Sequence, residues 1–125
     1  MSQRILLVDD EQDITTVLKA GLEHSGFQVD AFNNPEDAFS QFKPDYYDLV
    51  LLDIKMPKMN GFELCRELVR KDTRPKICFM TAYEVSLSEA RSMFPNLKAD
   101  GFIKKPMALG KIVEVVQNTL NNAAS

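Results

Sequence analysis

Short apolar runs alternate with amphipathic segments along almost the whole chain, and this alternation limits the possible folds more than any other feature. Residues 4–8 are a short apolar run suited to a buried strand. Asp13 is placed to cap a helix in which Ile14, Val17, Leu18 and Leu22 recur at helical spacing until Gly26 breaks it. Residues 27–32 alternate apolar with polar, as a strand with one wet face does. Asn34-Pro35-Glu36 opens a short helix through about Phe42, with proline in the first turn, and Lys43-Pro44-Asp45 ends it. Tyr47 to Leu52 is the most continuous apolar run and the expected central strand. Gly61 precedes a third helix with Phe62, Cys65, Leu68 and Val69 on its buried face. Ile77 to Met80 reads as the fourth strand, 86–94 as a helix stopped by Pro95-Asn96, and Gly101 to Lys104 as the fifth strand. The final helix, from about Met107, carries Leu109, Ile112, Val113, Val116 and Leu120 on one stripe.

Five βα units in strict alternation imply a parallel sheet covered by helices on both faces, a three-layer α/β/α domain. The 125 residues suit one such domain over 1–121, with 122–125 as a frayed end. A net charge of −3 leaves no basic footprint, which argues against nucleic-acid binding by this chain. No apolar stretch approaches the roughly 20 residues that span a bilayer. No signal-peptide pattern precedes the first strand, so a cytoplasmic location is expected. Cys65 and Cys78 are too few and too far apart for a zinc cluster or a redox pair and are expected to be buried or half-buried structural thiols. His24, beside Ser25-Gly26, reads as a favourable charge at a helix end or a solvated residue.

The chemistry concentrates at strand ends. Asp9 and Asp10 close the first apolar run, Asp53 closes the third, and Thr81 and Lys105 follow the fourth and fifth. In the flavodoxin-like strand order 2-1-3-4-5 the first and third strands are neighbours, and ligands bind in the crevice at their carboxyl ends. Asp9, Asp10 and Asp53 then share one crevice, at a cost in like-charge repulsion that a cation or proton must offset. Hard oxygen donors without Cys or His suit Mg²⁺ rather than zinc. Any one such Asp is more simply a turn or cap residue. All three together, with a threonine and a lysine at other strand ends, point to phosphoryl chemistry in which a carboxylate acts as nucleophile. Composition does not say which acid accepts; Asp53 stands alone on the central strand, while Asp9-Asp10 has the look of a metal-holding pair.

Val8-Asp9-Asp10-Glu11, Leu52-Asp53-Ile54-Lys55-Met56-Pro57, Met59-Asn60-Gly61, Met80-Thr81-Ala82 and Lys105-Pro106 together resemble the receiver domain of two-component response regulators, from first strand to last helix. The resemblance implies that Asp53 takes a phosphoryl group from a phosphohistidine of a sensor histidine kinase or phosphotransfer protein. It implies Mg²⁺ held by Asp9, Asp10, Asp53 and the Lys55 backbone carbonyl, Asp10 directly and Asp9 partly through water. Thr81, the Ala82 backbone N–H and Lys105 would contact the phosphoryl oxygens, and the Lys105-Pro106 bond would be cis. Phe102 stands in the place of the family's switch aromatic, where ordinary core packing is the plainer role. Phosphorylation would draw Thr81 inward, let Phe102 turn in, and alter the face made by the helix over 86–94, the fifth strand and the final helix. An output partner, a fused effector domain or a phosphorylation-dependent homodimer would read that face. A receiver has only slow self-phosphorylation and self-dephosphorylation, so the chain is not expected to be an enzyme in the ordinary sense.

Some positions depart from the family's usual pattern. Lys55 and Tyr83 occupy places where side chains tune phosphoryl lifetime, and both are bulky beside the path of an attacking water. Residues 94–100 are long for a helix-to-strand connection, and Met107 replaces a common aromatic. Two other readings are open. A haloacid dehalogenase-type aspartyl-phosphate hydrolase needs a second acid where Lys55 stands, and room for a cap domain. An unphosphorylated interaction module of the same fold needs none of the acids, which are all present.

Overall fold

The computed structural model describes residues 2–82 and 99–121. Tyr83, the helix expected over 86–94 and the tail 122–125 lie outside the described residues. The elements are β1 (Arg4–Val8), α1 (Gln12–His24), β2 (Gln28–Phe32), α2 (Pro35–Gln41), β3 (Leu49–Asp53), α3 (Gly61–Lys71), β4 (Lys76–Thr81), β5 (Gly101–Lys104) and α4 (Leu109–Asn121). All four strand pairings are parallel, in the order β2-β1-β3-β4-β5.

The period-2 alternation of the strands divides the core in two. Leu6, Val8, Val50, Leu52, Ile77 and Phe79 pack against Ala38 of α2 and Phe62, Cys65 and Leu68 of α3. Ile5, Leu7, Leu49, Leu51, Cys78, Met80 and Ile103 pack against Leu18 and Leu22 of α1 and Ile112 and Val116 of α4. Each fully buried Leu or Ile contributes roughly 2 kcal/mol of hydrophobic stabilisation, which is why strands buried on both sides read as continuous apolar runs. The two thiols are buried, and burial followed by the charge of Asp100 pushes Cys78 up to about 12, so it is inert.

Local chemistry sets the helix ends. Asn34 accepts from Asp37 N at 2.8 Å with Pro35 in the first turn of α2. Asn60 and Glu63 form a reciprocal capping box on α3. Gly26, at φ 100°, turns the chain out of α1 in the left-handed region that favours glycine. The start of α1 differs from the expectation: Glu11 occupies the cap position without a side-chain hydrogen bond, and Asp13 lies inside the first turn. Its buried stripe also differs, running through Thr15, Leu18 and Leu22, while Val17 is 55% exposed. The last helix begins at Leu109, two residues later than expected from Met107.

Candidate functional site

The parallel order brings the carboxyl ends of β1 and β3 side by side, with Val8 paired to Leu52. Asp53 is the last residue of β3 and Asp9 and Asp10 follow β1, so the three acids meet at the point where the strand order reverses. One carboxylate oxygen from each lies within 4.8 Å of the others. Asp9 is fully buried and Asp53 is 5% exposed, whereas Asp10 faces solvent.

Each buried acid is held differently. Asp9 Oδ1 accepts from the Glu11 backbone N–H at 2.9 Å, and Oδ2 from Lys105 Nζ at 2.6 Å. Lys105 Nζ also lies 3.6 Å from Asp53 Oδ1. Burial, then the charge of Asp9, pushes Asp53 up to about 7; the Lys105 ammonium pulls the other way, and Asp10 adds its charge and a hydrogen bond. Burial disfavours the charged form of Lys105, yet its hydrogen bond to Asp9 and the charges of Asp53, Asp9 and Glu11 outweigh that and hold its pKa above the ordinary value. Among the described residues, Lys105 alone is recorded pairing with these three acids, and the repulsion among them adds to burial in raising the Asp53 pKa. A cation in this crevice would offset that repulsion.

The donor set fits Mg²⁺. All three carboxylates supply hard oxygens, Asp10 is open to solvent, and the thiols and His24 of the described residues lie elsewhere in the fold. The Lys55 residue lies in the loop that joins β3 to α3, which is closed by the Gly61 N–H donating to Ile54 O at 2.7 Å. A Cβ on Gly61 would stand 2.3 Å from the Asp53 carbonyl oxygen, so this close seating of α3 on the acid-bearing strand requires glycine.

The other residues singled out by sequence lie around the same edge. Thr81 ends β4 and is buried, and its carbonyl accepts from the Lys105 N–H at 2.7 Å. Ala82 follows it and is exposed. The Lys105-Pro106 peptide is cis. Lys104 is exposed, on the face of β5 opposite the buried Ile103. Phe102 is half-buried against the α3 side of the sheet. Asn33, which the sequence did not single out, donates from Nδ2 to the Asp9 carbonyl at 3.0 Å and to Thr15 Oγ1 at 2.9 Å.

An apolar cavity of about 400 Å³ opens beside Lys105, lined chiefly by Ile14, Val17, Pro106, Met107 and Leu109. Among the described residues no helix is long and apolar enough to cross a membrane.

Comparison with known proteins matches residues 5–117 to the response regulator receiver domain. The transcriptional regulatory protein PcoR of Escherichia coli is 32% identical over 123 residues, 98% of this chain and 54% of the relative. The chain therefore spans about half the length of the curated relatives it matches. Among solved structures, the non-phosphorylated HemR receiver domain of Leptospira biflexa has a TM-score of 0.87 at 29% identity, covering 99% of this chain and 98% of that one. The response regulator TrrA of Thermotoga maritima, in complex with Mg²⁺ and BeF, has a TM-score of 0.77 at 35% identity, covering 94% of this chain and 98% of that one.

Proposed function

The chain belongs to the response regulator receiver domain family, and from that premise we propose that Asp53 is its phosphoacceptor. The carrying observation is the crevice itself: a nearly buried Asp53 at the end of the central strand, two further acids within 4.8 Å, and one lysine. The donor is a phosphohistidine on a sensor kinase or phosphotransfer protein. An Asp53 carboxylate oxygen forms the new P–O bond as the P–N bond breaks, and the bonding pair leaves with the imidazole nitrogen.

Asp9, Asp10, Asp53 and the Lys55 carbonyl hold Mg²⁺. When bound, the ion keeps Asp53 ionised and neutralises charge on the phosphoryl oxygens. The TrrA complex with Mg²⁺ and BeF supports this assignment by likeness. Lys105, Thr81 and the Ala82 N–H contact the phosphoryl group. Apart from slow self-phosphorylation and self-dephosphorylation, the domain catalyses nothing of its own.

The added phosphate gives Asp53 nearly two negative charges and three acceptor oxygens. Thr81 and Phe102 transmit the change to the surface that includes β5 and α4. An output protein, a fused effector domain or a second copy of the chain reads it in the cytoplasm. A differential affinity of about 3 kcal/mol between the two states changes their ratio more than a hundredfold. The cavity beside Lys105 suits kinase docking: Ile14, Leu18 and the exposed Val17 line it, whereas Thr15 of the same helix is buried away from it.

Incubation with acetyl phosphate and Mg²⁺ followed by mass spectrometry tests the reading. The expected result is a phosphoryl adduct on Asp53 that is absent from Asp53→Asn and from samples with EDTA. No adduct on the wild type under these conditions overturns it. Lys55 and Tyr83 lengthen the lifetime of the adduct, so Lys55→Asn and Tyr83→Ala should each decay faster; unchanged decay in both removes that role.

A further inference from the structure

We propose that Asn33 is a positioning residue for the acidic site, fixing the peptide that joins Asp9 to Asp10 and so the direction of the Asp10 carboxylate. This rests on the reading of Asp9, Asp10 and Asp53 as a Mg²⁺ site. The Asp9 residue is held from both sides by consecutive residues at the end of β2: its N–H donates to Phe32 O at 3.1 Å, and its C=O accepts from Asn33 Nδ2 at 3.0 Å. The carbonyl of Asp9 and the amide of Asp10 belong to one rigid plane. Orienting that plane therefore orients the chain entering Asp10, the one exposed acid of the three.

The second N–H of the Asn33 amide goes to Thr15 Oγ1 at 2.9 Å, and that hydroxyl in turn donates to Gln12 O at 3.0 Å. Thr15 is buried, so it anchors the amide to the body of α1. Both N–H groups are thus used, one on each side of the short stretch between β1 and α1. Reversing the amide would set its oxygen against the Asp9 carbonyl, so the donor assignment is forced. Asn33 and Asp10 also line the same open cavity of about 420 Å³, together with Pro57 and Lys58. No acceptor-only or apolar side chain can reproduce this pair of donations.

The outer partners of a metal ligand typically change affinity by about tenfold or more when removed. Asn33→Ala and the nearly isosteric Asn33→Leu should therefore each weaken Mg²⁺ binding by about tenfold, measured by NMR titration of the Asp10 and Asp53 amides. Asn34→Ala is the control: Asn34 caps α2, so the change should lower the melting temperature in EDTA and leave Mg²⁺ affinity as in the wild type. Mg²⁺ affinity within about twofold of wild type in whichever Asn33 variant melts cooperatively overturns the role. Equal weakening in Asn34→Ala also overturns it, since loop stability alone would then set the affinity. Wild type that binds no Mg²⁺ sinks the phosphoacceptor reading itself, which separates that failure from this one.

Discussion

Lys105 and Asp9 form an ion pair of 2.6 Å across the ends of β5 and β1, with Asp9 wholly buried and Asp53 only 3.6 Å from the same ammonium. The lysine thus stabilises the acid pair in the absence of metal. Lys105→Met leaves a buried carboxylate without its cation, a change that typically costs about 3 kcal/mol. Because the lysine keeps some contact with solvent, the expected loss is about 2 kcal/mol in urea unfolding without metal. Saturating Mg²⁺ should recover part of it. An equal loss with and without Mg²⁺ would mean that lysine and metal do not serve the same charges.

Asp9 and Asp10 should separate in their effects. Asp10 is exposed, so Asp10→Asn removes a proposed metal ligand and relieves repulsion on Asp53 without breaking a buried pair. Its Mg²⁺ affinity should fall by about tenfold or more while its metal-free melting temperature holds or rises. Asp9→Asn instead weakens the acceptor for Lys105 and for the Glu11 N–H, and should cost about 1–2 kcal/mol without metal. Calorimetric melts in EDTA together with Mg²⁺ titrations decide this; matching profiles for the two variants would contradict it.

The strands were legible because a parallel sheet buries them on both sides, so the runs ending at Val8, Leu52 and Met80 carry almost no polar residue. The acidic site followed from topology, since strand order alone puts Asp9 and Asp53 together. The start of α1 was less legible: Asp13 is a good cap residue in general, but the helix opens at Gln12, which makes Asp13 the second residue of its first turn. Helical spacing also does not distinguish the middle of a stripe from its rim, which is why Val17 looked buried and Thr15 was passed over. Asn33 gave no signal because its partner is a backbone carbonyl 24 residues away, and any side chain's neighbour could own that oxygen.

Asp53 should make stability depend on pH in a defined direction. Its pKa rises from the ordinary 3.8 to about 7, so the folded protein holds the proton more tightly than the unfolded chain. The penalty of ionising Asp53 is therefore absent below about pH 4, grows as pH rises toward 7, and is complete above that. At about 1.4 kcal/mol per pKa unit the ceiling is about 4 kcal/mol, and solvent in the crevice reduces it to about 2. In EDTA, Asp53→Asn should be more stable than wild type by about 2 kcal/mol at about pH 8, with the gap closing toward pH 4. A gap that does not change with pH would show that Asp53 ionises as an ordinary carboxylate.

Gly61→Ala sets two physical rules against each other. Gly61 is the first residue of α3, and alanine is the better helix former by about 1 kcal/mol, so propensity alone predicts a gain. The Cβ, however, would lie 2.3 Å from the Asp53 carbonyl oxygen and 3.0 Å from the Ile54 Cα, both backbone atoms that cannot rotate away. Relief requires moving α3 off the end of β3, which lengthens the 2.7 Å bond from the Gly61 N–H to Ile54 O and shifts the loop that carries Lys55. Packing should win: thermal melts should show a loss of about 2–3 kcal/mol. Because the displaced loop carries a proposed metal ligand, Mg²⁺ should also stabilise the variant less than the wild type. A variant as stable as wild type with an unchanged response to Mg²⁺ would show that α3 can shift freely, and that the site does not depend on how closely it sits on Asp53.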